Sequence, residues 1–202
     1  MSNEIELPVR KSNLFFKPDR VLFQFGAVLG DGSCGTVVQV TCNQCAIPLV
    51  AKLVVLEDDD DPGTNFQNEI EISERMGDAG IGPRIVASVI LPRPELHSTV
   101  GILIMEQLDF TLSALKQNQY VAKDILDVLL VKLRQMLQLG YRHDDLSVEN
   151  IMVRTNKQSQ VSNVYMIDWG WTTSHSPSNS SFDFETNAII QTLRLELQQI
   201  NF

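Results

Sequence analysis

The sequence predicts an α+β fold in two lobes, an antiparallel sheet with one helix followed by a reduced, mainly helical half. Three observations predict it. Residues 21 to 108 carry short β-branched and aromatic runs punctuated by glycine and proline. Apolar periodicity turns helical after Thr111, and the composition breaks near residues 106 to 112. A single domain is therefore expected over 1–202, with lobes at 13–106 and 107–202.

The elements follow in order. After a polar leader, RVLFQFGAVLGDGSCGTVVQVTC reads as strand, glycine turn, strand, because β-branched and aromatic residues flank a run of Gly, Asp and Ser. IPLVAKLVVL reads as a third strand, and EDDDDPG as a solvated connection ending in a turn signal. In TNFQNEIEISERMGDAG, Phe66, Ile70, Ile72 and Met76 recur at near-helical spacing behind a candidate cap at Thr64, and glycines stop the helix. GIGPRIV is its exit. RIVASVIL and VGILIMEQL, separated by the proline-bearing PRPELHST, suit an antiparallel pair joined by a longer loop. TLSALKQ is a short helical stretch, and AKDILDVLLVKLRQMLQLG a long amphipathic helix closing on glycine. YRHDDLSVENIMV, a β-like NVYMIDWGW, the polar TTSHSPSNSS and a helical DFETNAIIQTLRLELQQI complete the chain, which shows no internal repeat.

Composition narrows the function classes. With 44% hydrophobic and 20% charged residues over 202, the chain has ordinary globular composition. Its apolar runs, such as DILDVLLVKL, are interrupted by charge, and MSNEIELPVRKSN has acids where a secretory signal needs an apolar core. An intracellular, cytoplasmic protein with no membrane partner is expected, inside a host cell were the chain viral or an effector. Three cysteines, an odd number, argue against a disulfide framework and fit a reducing compartment. Cys42 and Cys45 form a C-x-x-C without a second pair, so free thiols in a hairpin connection are expected rather than a zinc site. A net charge of −9 with no clustered basic stripe leaves no nucleic-acid partner to expect.

The chemistry-bearing residues come in series. GDGSCGTV, from Gly30 through Gly32 and Gly35 to Val37, fits G-x-G-x-x-G-x-V; glycines let a backbone pass close over phosphate oxygens. Alone the motif is weak, since a glycine hairpin with no ligand looks the same. It lies between strands and opens no helix, which counts against dinucleotide binding. On the next strand, alternation puts Lys52 on the apolar face shared by Val50 and Val54, so it needs a partner. Glu69 is the best candidate and Glu71 the rival; their directions differ by roughly 200° of helix rotation, so only one can point inward. His143, Asp145 and Asn150 in HDDLSVEN, then Asp168 in IDWG, complete the order glycine loop, strand lysine, helix glutamate, H-x-D-L-x-x-x-N, D-x-G.

On those motifs the chain resembles the eukaryotic-type protein kinase superfamily from about residue 21 to 170. The resemblance implies a bilobal protein-kinase-like fold and ATP- and magnesium-dependent transfer to protein Ser/Thr hydroxyls, self-modification included, with manganese as the alternative ion. It implies that Asp145 orients the attacking hydroxyl and accepts its proton, that Asn150 and Asp168 hold the metal, and that Lys52 contacts the α- and β-phosphates with Glu69 holding the lysine. His143 is implied as a structural hydrogen-bonding residue. Gly30, Gly32, Gly35, Val37 and Ala51 would line the nucleotide, Met105 would be the gatekeeper, and backbone groups of Glu106 and Leu108 would meet adenine.

Departures from the family pattern shape the rest. Asp144 stands where an arginine usually pairs with a phosphorylated activation loop, so control by such a phosphate is not expected. Ser147 replaces the usual lysine, and Trp169 the usual phenylalanine; the latter, with GIGP, has the flavour of small-molecule phosphotransferases. No A-P-E motif follows Gly170, and the peptide-docking helices are missing. DFETNAIIQTL looks similar to a helix of minimal atypical kinases of the RIO and KEOPS type, where Asp183 would tie back to the catalytic loop. The expected partners are a protein substrate and a protein that activates or completes the small second lobe. The alternatives are a pseudokinase-like module binding nucleotide or a partner with little turnover, and a small-molecule kinase. Cys34 in the glycine loop is a candidate thiol whose alkylation blocks nucleotide. Ser174, Ser176, Ser178, Ser180 and Ser181 are candidate phosphate acceptors in a polar linker.

Overall fold

The computed structural model describes residues 3–10, 19–32, 34–56, 62–93, 98–114, 122–158, 160–174 and 182–200, with the side chains of 62–64, 122–124, 182–185 and 197–200 outside the description. The chain divides into two compact units, Met1–Arg75 with Arg84–Gln107, and Met76–Pro83 with Leu108–Phe202.

The first unit is a six-stranded antiparallel sheet, order β1-β2-β3-β4-β6-β5, carrying one helix. Its strands are β1 (Glu4–Pro8), β2 (Arg20–Gly32), β3 (Gly35–Thr41), β4 (Leu49–Leu56), β5 (Ile85–Arg93) and β6 (Ser98–Glu106), with α1 (Pro62–Asp78) between β4 and β5. Alternation decides what each strand buries: Val21 and Phe23 of β2 lie in the core while Leu22 and Gln24 face out. The sheet curls until its edges meet. The Arg10 N–H donates to the Val86 carbonyl at 3.0 Å, and the Arg10 guanidinium reaches Glu74 at 3.4 Å. The concave side encloses Phe23, Val40, Leu49, Ala51, Val86 and Ile104. On the opposite face Phe66 and Ile70 of α1 pack with Leu56, Ile85 and Leu103. Gly101 makes room there, because a Cβ would stand 2.3 Å from the Phe66 ring. Burying a ring of this size contributes about 1.5–3 kcal/mol.

The second unit holds β7 (Phe110–Thr111), α2 (Ala122–Gln138), β8 (Tyr141–His143), β9 (Ile151–Thr155), β10 (Val161–Met166), β11 (Thr172–Ser174) and α3 (Phe182–Ile200). Three 3-10 turns join them, at Leu112–Ala114, Val148–Asn150 and Trp169–Trp171. A sheet of order β10-β9-β7 and a ribbon of β11 with β8 are both antiparallel. α2 presents Leu129, Leu133, Met136 and Leu137 to the interior and ends at Gly140, whose φ of 84° is the left-handed terminus that glycine favours.

The expectation of a bilobal kinase-like fold with a mainly helical second half is overturned. Among the described residues there are eleven strands and three α-helices, the first sheet is nearly closed on itself, and five strands lie in the second half. The physical reason is local. Between α2 and α3, residues such as Ile151, Val153, Val161, Val164 and Tyr165 are β-branched or aromatic and stand in segments too short for a helix, so they pair as a hairpin, β9 with β10.

Smaller expectations also change. The polar leader contains β1, paired along its length with β2. α1 starts at Pro62, so Thr64 lies inside the helix rather than ahead of it; proline suits the first turn, where its missing N–H costs nothing. Of TLSALKQ, Thr111 closes β7, Leu112–Ala114 is a 3-10 turn and the remainder lies outside the described residues. Cys42 and Cys45 are joined as a disulfide, Cα to Cα 5.3 Å, rather than free.

Candidate functional site

In the first unit, β4 presents Lys52 across from Val37 on one side and Leu103 on the other. Its Nζ lies 2.6 Å from Glu69 Oε1, with side-chain exposures of 11% and 9%. Charges this far from water are costly unless paired, so the contact fixes both side chains. Glu71 instead accepts from Gln67 on the exposed face of α1. The glycine motif forms the end of the β2–β3 hairpin, with Gly30 opposite Val37, Asp31 opposite Thr36 and Gly32 opposite Gly35. Gly35 is required there: its φ is +121°, and a Cβ would sit 2.5 Å from the Leu53 carbonyl oxygen. Nothing lies within 4 Å of a Cβ at Gly30 or Gly32, so space around the hairpin does not explain those two glycines. Thr36 Oγ1 donates to Asp31 Oδ1 at 2.6 Å across the hairpin. Cys34 is partly exposed and outside the disulfide.

Ala51 is fully buried in β4, and Met105 lies opposite Val50 in β6. Glu106 is buried, and both its backbone N–H and its carboxylate engage the Arg84 backbone, at 3.0 and 2.9 Å. The structure thus gives Glu106 a role in fixing the end of β6 that sequence reasoning had not assigned. Leu108 is buried and belongs to the second unit.

In the second unit the loop after β8 folds around His143. Its Nδ1 accepts the Asp145 N–H at 3.3 Å, so Nε2 carries the proton and donates to the Ile167 carbonyl at 2.8 Å. One ring therefore ties the loop bearing Asp145 to the residue preceding Asp168. Burial pushes His143 below its ordinary value, against the raising influence of its bond to Ile167 and of Asp168, Asp145 and Asp144. Asn150 Nδ2 donates to the Asp145 carbonyl at 2.8 Å and to its carboxylate Oδ2 at 3.1 Å. The Ile167 N–H returns to the Asn150 carbonyl at 3.0 Å. Asp145, Asn150 and Asp168 are thus held by one short network.

Asp168 has φ 64° and ψ 68°, the one positive-φ residue other than glycine among the described residues, and makes no side-chain cap to the turn it precedes. Such a conformation costs about 1–3 kcal/mol and persists where the surroundings enforce it. The enforcers are visible. Trp169 is buried, stands 5.0 Å from the His143 ring, and occupies the space beside Gly82, where a Cβ would lie 3.1 Å from its Nε1. The GIGP stretch and Trp169, noted separately in the sequence, are one packing unit. The indole N–H is buried with no hydrogen-bond partner among the described residues.

Asp144 lies against β11. Partial burial works against its charge, but bonds from Thr173 Oγ1 at 2.6 Å and Arg142 Nε at 2.5 Å outweigh it and hold the carboxyl below its ordinary value. Two further residues were missed in the sequence. Glu196 of α3 accepts the Val148 N–H at 3.0 Å, anchoring the turn that carries Asn150; the expected anchor, Asp183, has its side chain outside the described residues. Lys132 is buried in α2, where its ammonium donates to the carbonyls of Gly80 and Val164 and lies 4.2 Å from the Tyr165 ring centroid. A lysine among Leu129, Leu133 and Met136 is the same signal that drew attention to Lys52.

Asn150 and Asp168 offer an amide oxygen and a carboxylate, the hard donors that magnesium takes. No group of three or more His, Cys, Asp or Glu able to hold a metal occurs among the described residues. Two protein ligands fit an ion whose remaining positions go to phosphates and water. Neither a protein-family model nor a curated protein matches the chain. No helix among the described residues is long and apolar enough to cross a membrane.

Proposed function

We propose that the protein transfers the γ-phosphoryl group of ATP to Ser or Thr hydroxyls of a protein, itself included. The observation that carries this is the network joining Asp145, Asn150, His143 and Ile167, which delivers a carboxylate, an amide and the strained Asp168 in one ordered group. Support from the first unit is the nearly buried Lys52–Glu69 pair. The motif order of the protein kinases supports the chemistry and is independent of the fold class, which differs from what that resemblance implied.

In this scheme Lys52 neutralises the α- and β-phosphates, and Glu69 keeps its ammonium from folding away. The β2–β3 hairpin offers backbone N–H groups to the phosphates, with Gly30 and Gly32 presenting no side chain. Asn150 and Asp168 would hold magnesium, which supplies charge neutralisation at the phosphate oxygens when bound. Asp145 accepts the proton as the acceptor oxygen bonds to the γ-phosphorus and the bond from that phosphorus to ADP breaks. His143, neutral and twice bonded, positions and does not transfer protons. Val37, Ala51 and Met105 would supply apolar contact to the base, with backbone at Glu106 and Leu108 meeting its edge.

Incubation with γ-labelled ATP and magnesium, alone and with generic protein acceptors, tests this. Label should enter Ser or Thr and fall at least about a hundredfold in Asp145→Asn, the scale of general-base catalysis. Lys52→Met and Asp168→Asn should do the same while still folding. Full activity in any of the three contradicts the assignment. Tight nucleotide binding without transfer would leave only a binding module.

A further inference from the structure

Asp144 is the nearest charged neighbour of Asp145 in the chain, and its carboxylate bridges two strands. Arg142 and Thr173 are cross-strand partners in the β8–β11 ribbon. Asp144 Oδ1 accepts from Arg142 Nε at 2.5 Å, and Oδ2 from Thr173 Oγ1 at 2.6 Å. Its backbone takes part as well, the Asp144 N–H donating to the Trp171 carbonyl at 2.9 Å. Both backbone and side chain of this residue therefore hold the stretch that follows Asp168. Thr173 is exposed, so its hydroxyl had water as an alternative, and the short bond to the carboxylate sets its rotamer.

We propose that Asp144 is a positioning residue which, through Thr173 and Trp171, fastens residues 171–174 to the loop carrying Asp145 without any phosphate. The inference rests on the phosphoryl-transfer reading for its effect on rate, but not for the fastening itself. Charge gives it a direction. A carboxylate at this position accepts a hydroxyl hydrogen and repels a phosphoryl dianion, so a phosphate on Thr173 Oγ1 would replace the 2.6 Å bond with like-charge contact and loosen the ribbon. The ordered form is therefore the unmodified one.

The test uses the full chain and its variants Thr173→Val, Thr173→Ser and Asp144→Ala, with amide hydrogen exchange and transfer kinetics measured on each. One exposed hydrogen bond shifts an equilibrium about three- to tenfold, so exchange over 171–174 and at the Asp144 amide should quicken by that factor in Thr173→Val and Asp144→Ala. kcat should fall by a similar factor while KM for ATP holds, and Thr173→Ser should restore both rate and protection. Phosphatase treatment of the unaltered chain should leave transfer unchanged. Unchanged exchange in both Thr173→Val and Asp144→Ala, or activity lost on phosphatase treatment, overturns the proposal. If the unaltered chain transfers nothing, the phosphoryl-transfer reading falls, and the exchange measurement alone upholds or overturns the fastening.

Discussion

His143 shows how one residue's protonation can hold a site together. Its Nδ1 accepts and its Nε2 donates, an arrangement open only to the neutral ring. Burial keeps its folded-state value below 6.5. Above pH 6.5 neither the folded nor the unfolded chain protonates this ring, and it adds no pH dependence. As pH falls through 6.5, the unfolded chain takes up a proton that the folded chain refuses, so stability drops until the folded value is reached. Chemical denaturation at pH 7.5 and pH 5.5, about one unit either side of the ordinary value, should show a lower midpoint at the acid end, with His143→Gln flattening the difference. An equal slope in both proteins would mean that the ring is not held neutral. Lys52 is the residue most legible from sequence, because alternation alone put an ammonium on an apolar strand face. The same alternation could not select between Glu69 and Glu71; the rotation of α1 does, turning Glu69 to the sheet and Glu71 to solvent. The Cys42–Cys45 disulfide was not legible, since odd cysteine number and compartment argue against pairing while local geometry allows it.

Among the elements, the β2–β3 hairpin separates a structural glycine from two that structure leaves unexplained. Gly35→Ala meets both a positive φ and the Leu53 carbonyl, so it should destabilise the protein by about 1–3 kcal/mol in denaturant titration. Gly30→Ala enters open space. It should leave the unfolding midpoint nearly unchanged yet raise KM for ATP, if the backbone there meets phosphate. A Gly30→Ala protein with unaltered KM would remove the hairpin from the site. The periodic elements were readable: α1, α2, α3 and the β5–β6 pair all overlap the segments that their patterns marked, with ends displaced by up to two residues. The rest had too little length to show a period. β8 and β11 have three residues each and β7 two, so their pairing is decided by tertiary contact rather than by propensity. β1 was hidden by its acids, Glu4 and Glu6, which lie at a sheet edge where charge is tolerated.

For the whole molecule, the motif order proved a poor guide to fold class. Motifs fix a few residues near turns and strand ends, whereas the ratio of strand to helix is set by the many residues between them, as the hairpin from Ile151 to Met166 illustrates. The proposed reaction stands or falls on Asp145 and Asp168, both of the second unit and joined through His143 and Ile167, acting on one transition state. Residues that stabilise the same transition state are strongly non-additive, whereas independent ones multiply. Transfer of label from γ-labelled ATP by Asp145→Asn, Asp168→Asn and the double variant measures this directly. The account predicts that each single substitution lowers kcat by about a hundredfold or more and that the double variant is little worse than the poorer single. Single variants with near-normal rates, or a double variant whose loss is the full product of the two, would contradict it.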